Sequence, residues 1–168
     1  MIDSALVFDS VRRGYNDLNE STKDEILEYF DDINPDSMIG HVNNIKGILF
    51  EQVYVDQLAE QGIYAEVFEA TNTPIVDISV FDSTGVSVDL QLKATDSVAY
   101  INDTLEMYPD VSIVATSEVA NMFNSEMVID SGFENAVLES AVIESLSDEI
   151  VNPFSPISGL GWLLGLPF

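Results

Sequence analysis

Lys93 is one of three lysines in a chain of 168 residues that carries 30 Asp and Glu. It ends Val86–Lys93 (VSVDLQLK), a period-two run of apolar and polar residues that reads as a strand. A second run, Ile75–Phe81 (IVDISVF), lies just before it and carries Asp77. Between the two stand Asp82 and then Ser83-Thr84-Gly85, which fits a three-residue hairpin loop with its glycine in the left-handed region. Asp82 then faces Val86, and the same register sets Asp77 directly opposite Gln91, with Cβ atoms about 5 Å apart. Alternation sends Asp89, Gln91 and Lys93 to one face and Val88, Leu90 and Leu92 to the other. Glu51 shares a helical arc with Ile48, Val55 and Leu58, so its carboxylate points into the protein. A buried carboxylate needs a partner or a metal. A helix packed on the hairpin presents Glu51 to Asp77 and Gln91. Such an oxygen-only cluster beside a lysine suits Mg²⁺ or Mn²⁺ rather than zinc. Phosphodiester hydrolysis calls for this set: a metal to activate water, and a cation where charge develops. Plainer roles stand beside these. Lys93 can pair with Asp89 or Glu51, Asp77 can be an edge acid in solvent, and Glu51 can lie on a half-exposed face.

The elements that must position these residues are legible in the pattern. Residues 3–18 have the apolar spacing of a short helix. Ser21 reads as the N-cap of a second helix, with Asp24 in its first turn. Residues 37–61 carry a long helical pattern that stops at Gly62, a C-cap glycine. The period then changes. Ile63–Phe68 alternates, the loop ATNTP follows, and the two hairpin strands come next. Thr95 or Asp96 caps a helix through Met107, stopped by Pro109. Val111–Thr116 is a short apolar strand of the kind buried on both faces. Ser117 caps EVANMF, the short run MVIDS follows, and a last helix covers about Asn135–Leu146.

With the order α-β-β-β-α-β on the page, the helix of Glu51, the strand of Asp77 and the Gln91-Leu92-Lys93 motif resemble the PD-(D/E)xK nuclease superfamily. Within it they resemble the Mrr-like restriction endonuclease branch, whose final motif is often QxK. GILFEQVYVDQLAEQG resembles that family's first helix, and SIVATSEV the strand and turn after its catalytic hairpin. The resemblance covers roughly Gly47–Phe123. It implies that Glu51, Asp77 and Gln91, with a neighbouring backbone carbonyl, hold a divalent metal, and that Lys93 orients water and stabilises the transition state. Two departures stand out. Val76, not proline, precedes Asp77, and the chain has almost no basic residues to line a DNA cleft.

Composition bounds the rest. Thirty acids against five Lys and Arg give a net charge of −25. That charge repels nucleic acid and anionic membrane and excludes a generic basic-patch DNA binder. Hydrophobic residues make up 46% of the chain, too many for a disordered acidic tail. There is no cysteine, hence no disulfide framework and no thiolate metal site, and a single histidine, His41, cannot build a multi-histidine one. The acids are spread along the whole chain, which favours adaptation to high salt over a dedicated partner surface. His41 reads as a helix-surface or capping residue, Arg12-Arg13 as ion-pair donors within the chain, and Asn102 carries an NDT pattern with no sign of secretion. No signal peptide opens the chain. The end, Ile157–Phe168 (ISGLGWLLGLPF), is apolar, Gly-rich and uncharged, too short for a span of about 20 residues, with Trp162 as a docking anchor.

The expected fold is α/β, a small mixed sheet flanked by helices, with an N-terminal helical extension over 1–40, a nuclease-like core over 41–150 and an apolar tail over 151–168. The expected function is a metal-dependent, nuclease-like domain that hydrolyses DNA phosphodiesters in a defence, mobile-element or viral setting, with Mg²⁺ or Mn²⁺ as cofactor. The alternative is a catalytically inactive nuclease-fold module with a structural role in a virion or membrane-tethered complex of a high-salt organism or its virus. A third reading is an acidic mimic of DNA. Expected partners are DNA, and a second copy or partner subunit through the apolar tail, ahead of membrane contact. The expected location is the cytoplasm or a virion.

Overall fold

A computed structural model of the chain describes residues 1–68 and 75–147. The expected apolar tail and Trp162 lie outside them. In chain order the elements are α1 (Ser4–Gly14), a single 3₁₀ turn (Asn16–Leu18), α2 (Lys23–Asp31), α3 (Pro35–Glu60), β1 (Tyr64–Val67), β2 (Ile78–Phe81), β3 (Ser87–Lys93), α4 (Val98–Met107), β4 (Ser112–Ala115), α5 (Ser117–Ala120), β5 (Val128–Asp130) and α6 (Asn135–Leu146). The fold is α/β: N-terminal helices, then a five-stranded mixed sheet with helices packed on it. No helix among the described residues is long and apolar enough to cross a membrane. The described residues divide into two compact units, one of Met1–Leu49 with residues 136–147, the other of Phe50–Asn135.

In the first unit the caps explain where helices begin. Asp3 accepts the Ala5 N–H at 2.9 Å and starts α1. Tyr15, in extended backbone, ends it, so the helix expected over 3–18 becomes a helix and a 3₁₀ turn. Thr22, not Ser21, caps α2. Its hydroxyl accepts the Glu25 N–H while the Glu25 carboxylate takes the Thr22 N–H at 2.7 Å, a capping box. The Ser21 carbonyl instead accepts from Arg12 Nε at 2.9 Å, and Arg12 pairs with Asp9 at 2.7 Å, the intramolecular role expected of it. Pro35 takes the first position of α3, where its missing N–H has no partner to lose. The expectation for His41 is corrected. It is half-buried rather than a surface or capping residue, stacked on Tyr15 and edge-on to Phe30, with the Tyr15 hydroxyl 2.7 Å from Nδ1. Lys46, buried, pairs with Glu139 at 2.9 Å. Both charges therefore have partners, without which burial would be costly.

In the second unit the strands lie in sequence order β1-β2-β3-β4-β5. The first three are antiparallel neighbours, and β3-β4 and β4-β5 are parallel. The short hairpin loop forces the antiparallel pair, and the α4 crossover returns β4 parallel to β3. Ile101 of α4 with Val119 and Ala120 of α5 packs on Ile113 and Ala115 of β4, with Val98, Leu105, Phe123 and Val128 around them. Gln91 and Lys93 of β3 pair with those same β4 residues. Gln91 and Lys93 thus border the helix-covered face of the sheet.

Candidate functional site

The site is built from the hairpin turn. Gly85 sits at φ 84°, the left-handed conformation the loop was expected to need. Its N–H donates to the Asp82 carbonyl at 3.1 Å, and the Asp82 N–H donates to the Val86 carbonyl at 3.0 Å. The Asp82 carboxylate gathers the Thr84 N–H, the Thr84 hydroxyl and the Val86 N–H, which holds its pKa below the usual carboxylate value. This turn sets the expected register, with Phe81 opposite Ser87, Val80 opposite Val88, Ser79 opposite Asp89 and Ile78 opposite Leu90. Asp89 accepts a short hydrogen bond from the Ser79 hydroxyl.

At Asp77 the ladder departs from expectation. Asp77 does not stand directly opposite Gln91. Its N–H donates to the carbonyl of Leu90, which already faces Ile78. Two residues thus address one, the arrangement of a β-bulge. Had the register continued, Leu92 would pair with Val76. Instead the Leu92 N–H donates to Asp77 Oδ2 at 2.6 Å, so a carboxylate takes the place of a ladder carbonyl. On its other side Asp77 stays in register, its carbonyl accepting from the Phe68 N–H at 2.9 Å. The bulge seats the Asp77 side chain against the β3 backbone between Gln91 and Lys93. Burial pushes the Asp77 carboxyl above the usual value, opposed by the Leu92 N–H and the Lys93 ammonium. It is therefore not an edge acid in solvent.

Gln91 is 4% exposed, and its Oε1 has no hydrogen-bond partner among the described residues. Lys93 is half-buried, with Nζ 5.5 Å from the centroid of the Tyr100 ring. Asp89, a candidate partner for Lys93, is engaged with Ser79. Glu51 is half-buried on α3, in the same compact unit as the hairpin. The described contacts of this stretch of α3 run to the loop after β5. The Phe50 and Phe133 rings lie 6.4 Å apart, and Gln57 lies beside Gly132. The structure thus gathers Asp77, Gln91 and Lys93 on the hairpin, with Glu51 on α3 in the same compact unit.

Among the described residues no group of three or more His, Cys, Asp and Glu is placed to hold a metal ion. The donors at hand are one carboxylate and one amide carbonyl. Both are hard oxygens, the carboxylate on a half-buried residue and the amide on a buried one, and the amide oxygen has no partner among the described residues. They fit a hard divalent cation as part of its ligand set. Tyr100 and the Leu92 N–H escaped the sequence reading. The bulge that recruits Leu92 has no local sequence mark, but the N-cap at Ser97 does, and it fixes where Tyr100 falls on α4. Compared with models of known protein families, with curated proteins and with solved structures, the chain matches none.

Proposed function

We propose that the chain is a divalent-metal-dependent hydrolase of DNA phosphodiesters, with Asp77, Gln91 and Lys93 as its working residues. One observation carries this reading. The Gln91 carbonyl oxygen is buried and without a partner among the described residues, one residue along β3 from the Leu92 N–H that holds an Asp77 carboxyl which burial makes reluctant to ionise. An unmet buried carbonyl costs about 1–3 kcal/mol. A cation touching both oxygens relieves both penalties. Asp77 and Gln91 hold it in this reading, and Glu51 joins them on resemblance to the nuclease family. When bound, Mg²⁺ or Mn²⁺ lowers the pKa of water and offsets charge growing on the phosphoryl oxygens. The Leu92 N–H fixes Asp77 Oδ2. Lys93 brings positive charge to the phosphate and stabilises the transition state. The strand order, with an antiparallel hairpin followed by a helix and a parallel strand, supports the same reading. The setting proposed is defence, a mobile element or a virus, in the cytoplasm or a virion.

The test is plasmid cleavage in Mg²⁺ and in Mn²⁺, at low and high KCl, by wild type and by Lys93→Ala. Cleavage by wild type alone supports the reading. Folded wild type that cuts in no condition overturns it. A second reading, a catalytically silent module of the same fold with an assembly role, is favoured by the lack of a three-carboxylate group among the described residues and by the scarcity of cations. It predicts that deleting Ser158–Phe168 changes the sedimentation profile while metal leaves the melting temperature untouched.

A further inference from the structure

Lys93 carries a compact charge on a flexible four-carbon stem, so some neighbour must hold it in place if it is to act on a phosphate. Besides the Asp77 carboxyl that feels its charge, its ammonium has an aromatic face as a described neighbour, the Tyr100 ring with its centroid 5.5 Å from Nζ, inside the range of a cation–π contact. Such a contact differs from an ion pair in one useful way. A carboxylate would neutralise the lysine, whereas a ring orients it and leaves its charge and N–H donors free for an incoming anion. The ring is also well founded. The buried Thr116 hydroxyl donates to the Thr95 carbonyl at 2.6 Å, and Ser97 N–H donates to the Thr95 hydroxyl at 3.1 Å. The Ser97 hydroxyl then accepts the Tyr100 N–H at 3.2 Å as the cap of α4. The next residue, Ile101, is fully buried against β4. The backbone under Tyr100 is thus tied to the strand beside Lys93, while the side chain, 48% exposed, stays open to a ligand.

We infer that Tyr100 is a positioning residue for Lys93, holding the ammonium over its ring so that it meets the scissile phosphate. This deepens the hydrolase reading and rests on it. The first readout does not need activity. With three lysines in the chain, lysine-selective isotope labelling gives three sets of side-chain methylene signals, and loss of one set in Lys93→Arg assigns Lys93. Ring current shifts the Lys93 ε-methylene protons upfield in wild type and in Tyr100→Phe, and the shift is lost in Tyr100→Leu. Lys23, whose Nζ lies 5.4 Å from the Phe8 ring centroid, is an internal control whose signals do not move in either variant. The second readout is cleavage in Mn²⁺. Tyr100→Leu lowers kcat about three- to tenfold with KM little changed, the size of one cation–π contact, and Tyr100→Phe cuts like wild type. If wild type cuts while the shift is absent or survives in Tyr100→Leu, the inference fails alone. It also fails alone if Tyr100→Leu loses the shift and cuts at the wild-type rate. If wild type cuts nothing in any metal or salt, the hydrolase reading falls and the role of Tyr100 falls with it, whatever the spectrum shows.

Discussion

Asp77 and Gln91 carry opposite signs in stability and in function, and single substitutions separate the two. The Asp77 carboxyl is pushed up by burial, so the folded chain binds its proton more tightly than the unfolded chain, whose value is near 3.8. The stability it contributes is therefore fully present below that unfolded value and is lost as pH rises through the higher folded one. Asp77→Asn keeps an oxygen for the Leu92 N–H and cannot ionise. Without metal it should be more stable than wild type at pH 7, and the gap should close as pH falls through the folded pKa to the unfolded one. Urea denaturation at a series of pH values measures this, and a gap that stays constant with pH would remove the argument. Divalent metal should reverse the order. Mn²⁺ at a hundredfold excess over its dissociation constant stabilises wild type by about 2.7 kcal/mol, and Asp77→Asn should show no such rise in melting temperature. Gln91→Leu is the companion case. It replaces an unpartnered buried carbonyl by apolar atoms of similar length, so the metal-free protein should gain about 1 kcal/mol while the response to Mn²⁺ weakens. A loss of stability in metal-free Gln91→Leu would mean that the Gln91 oxygen is satisfied in solution.

The hairpin is the element on which the whole site hangs, and its turn is the place to test it. Gly85 holds φ 84°, which an L side chain adopts only with strain. Gly85→Ala should destabilise the chain by about 1 kcal/mol, seen as a lower urea midpoint. It should also weaken the Mn²⁺ response, because the register that leads down the hairpin to the bulge at Asp77 starts at this turn. Unchanged metal binding in a destabilised Gly85→Ala would place the cation elsewhere. The register was legible because turn chemistry and period two are local: Ser83-Thr84-Gly85 specifies the loop, and the loop specifies every pair down to Ile78 and Leu90. The β-α-β order after the hairpin was legible for the same reason. Helix starts were less so. Ser21 and Thr22 are neighbouring hydroxyls of equal local merit, and the Glu25 side chain decides between them; α4 is capped by Ser97 rather than Thr95 or Asp96, and α5 starts after Thr116 rather than Ser117. The bulge at Asp77 was not legible at all. It arises because a carboxylate competes with a ladder carbonyl for the Leu92 N–H, a contest between groups fifteen residues apart. The ring cluster that takes in His41 was hidden likewise, since Tyr15 lies on a different element.

At the scale of the whole molecule the charge dominates. Thirty acids face five cations, and of those Arg12 and Lys46 already answer Asp9 and Glu139. The remaining carboxylates repel one another over a distance that salt controls, about 30 Å at 0.01 M and about 3 Å at 1 M. The unfolded chain spreads the same charges further apart, so dilute buffer favours it. The melting temperature should therefore be lower in dilute buffer than in molar KCl, and a melting temperature indifferent to KCl would dispose of salt adaptation as the reason for the acidity. The same field bears on DNA. A typical DNA-binding protein neutralises phosphates with many Lys and Arg, releases counterions and so binds more weakly as salt rises. Here few cations are present to release any, and two polyanions must approach each other. Screening of their repulsion should outweigh counterion release, so plasmid cleavage should rise with KCl across the range where an ordinary nuclease loses activity. Titrating KCl at fixed Mn²⁺ reads this directly. Cleavage that falls steadily from low salt would mean that the DNA meets a local basic surface.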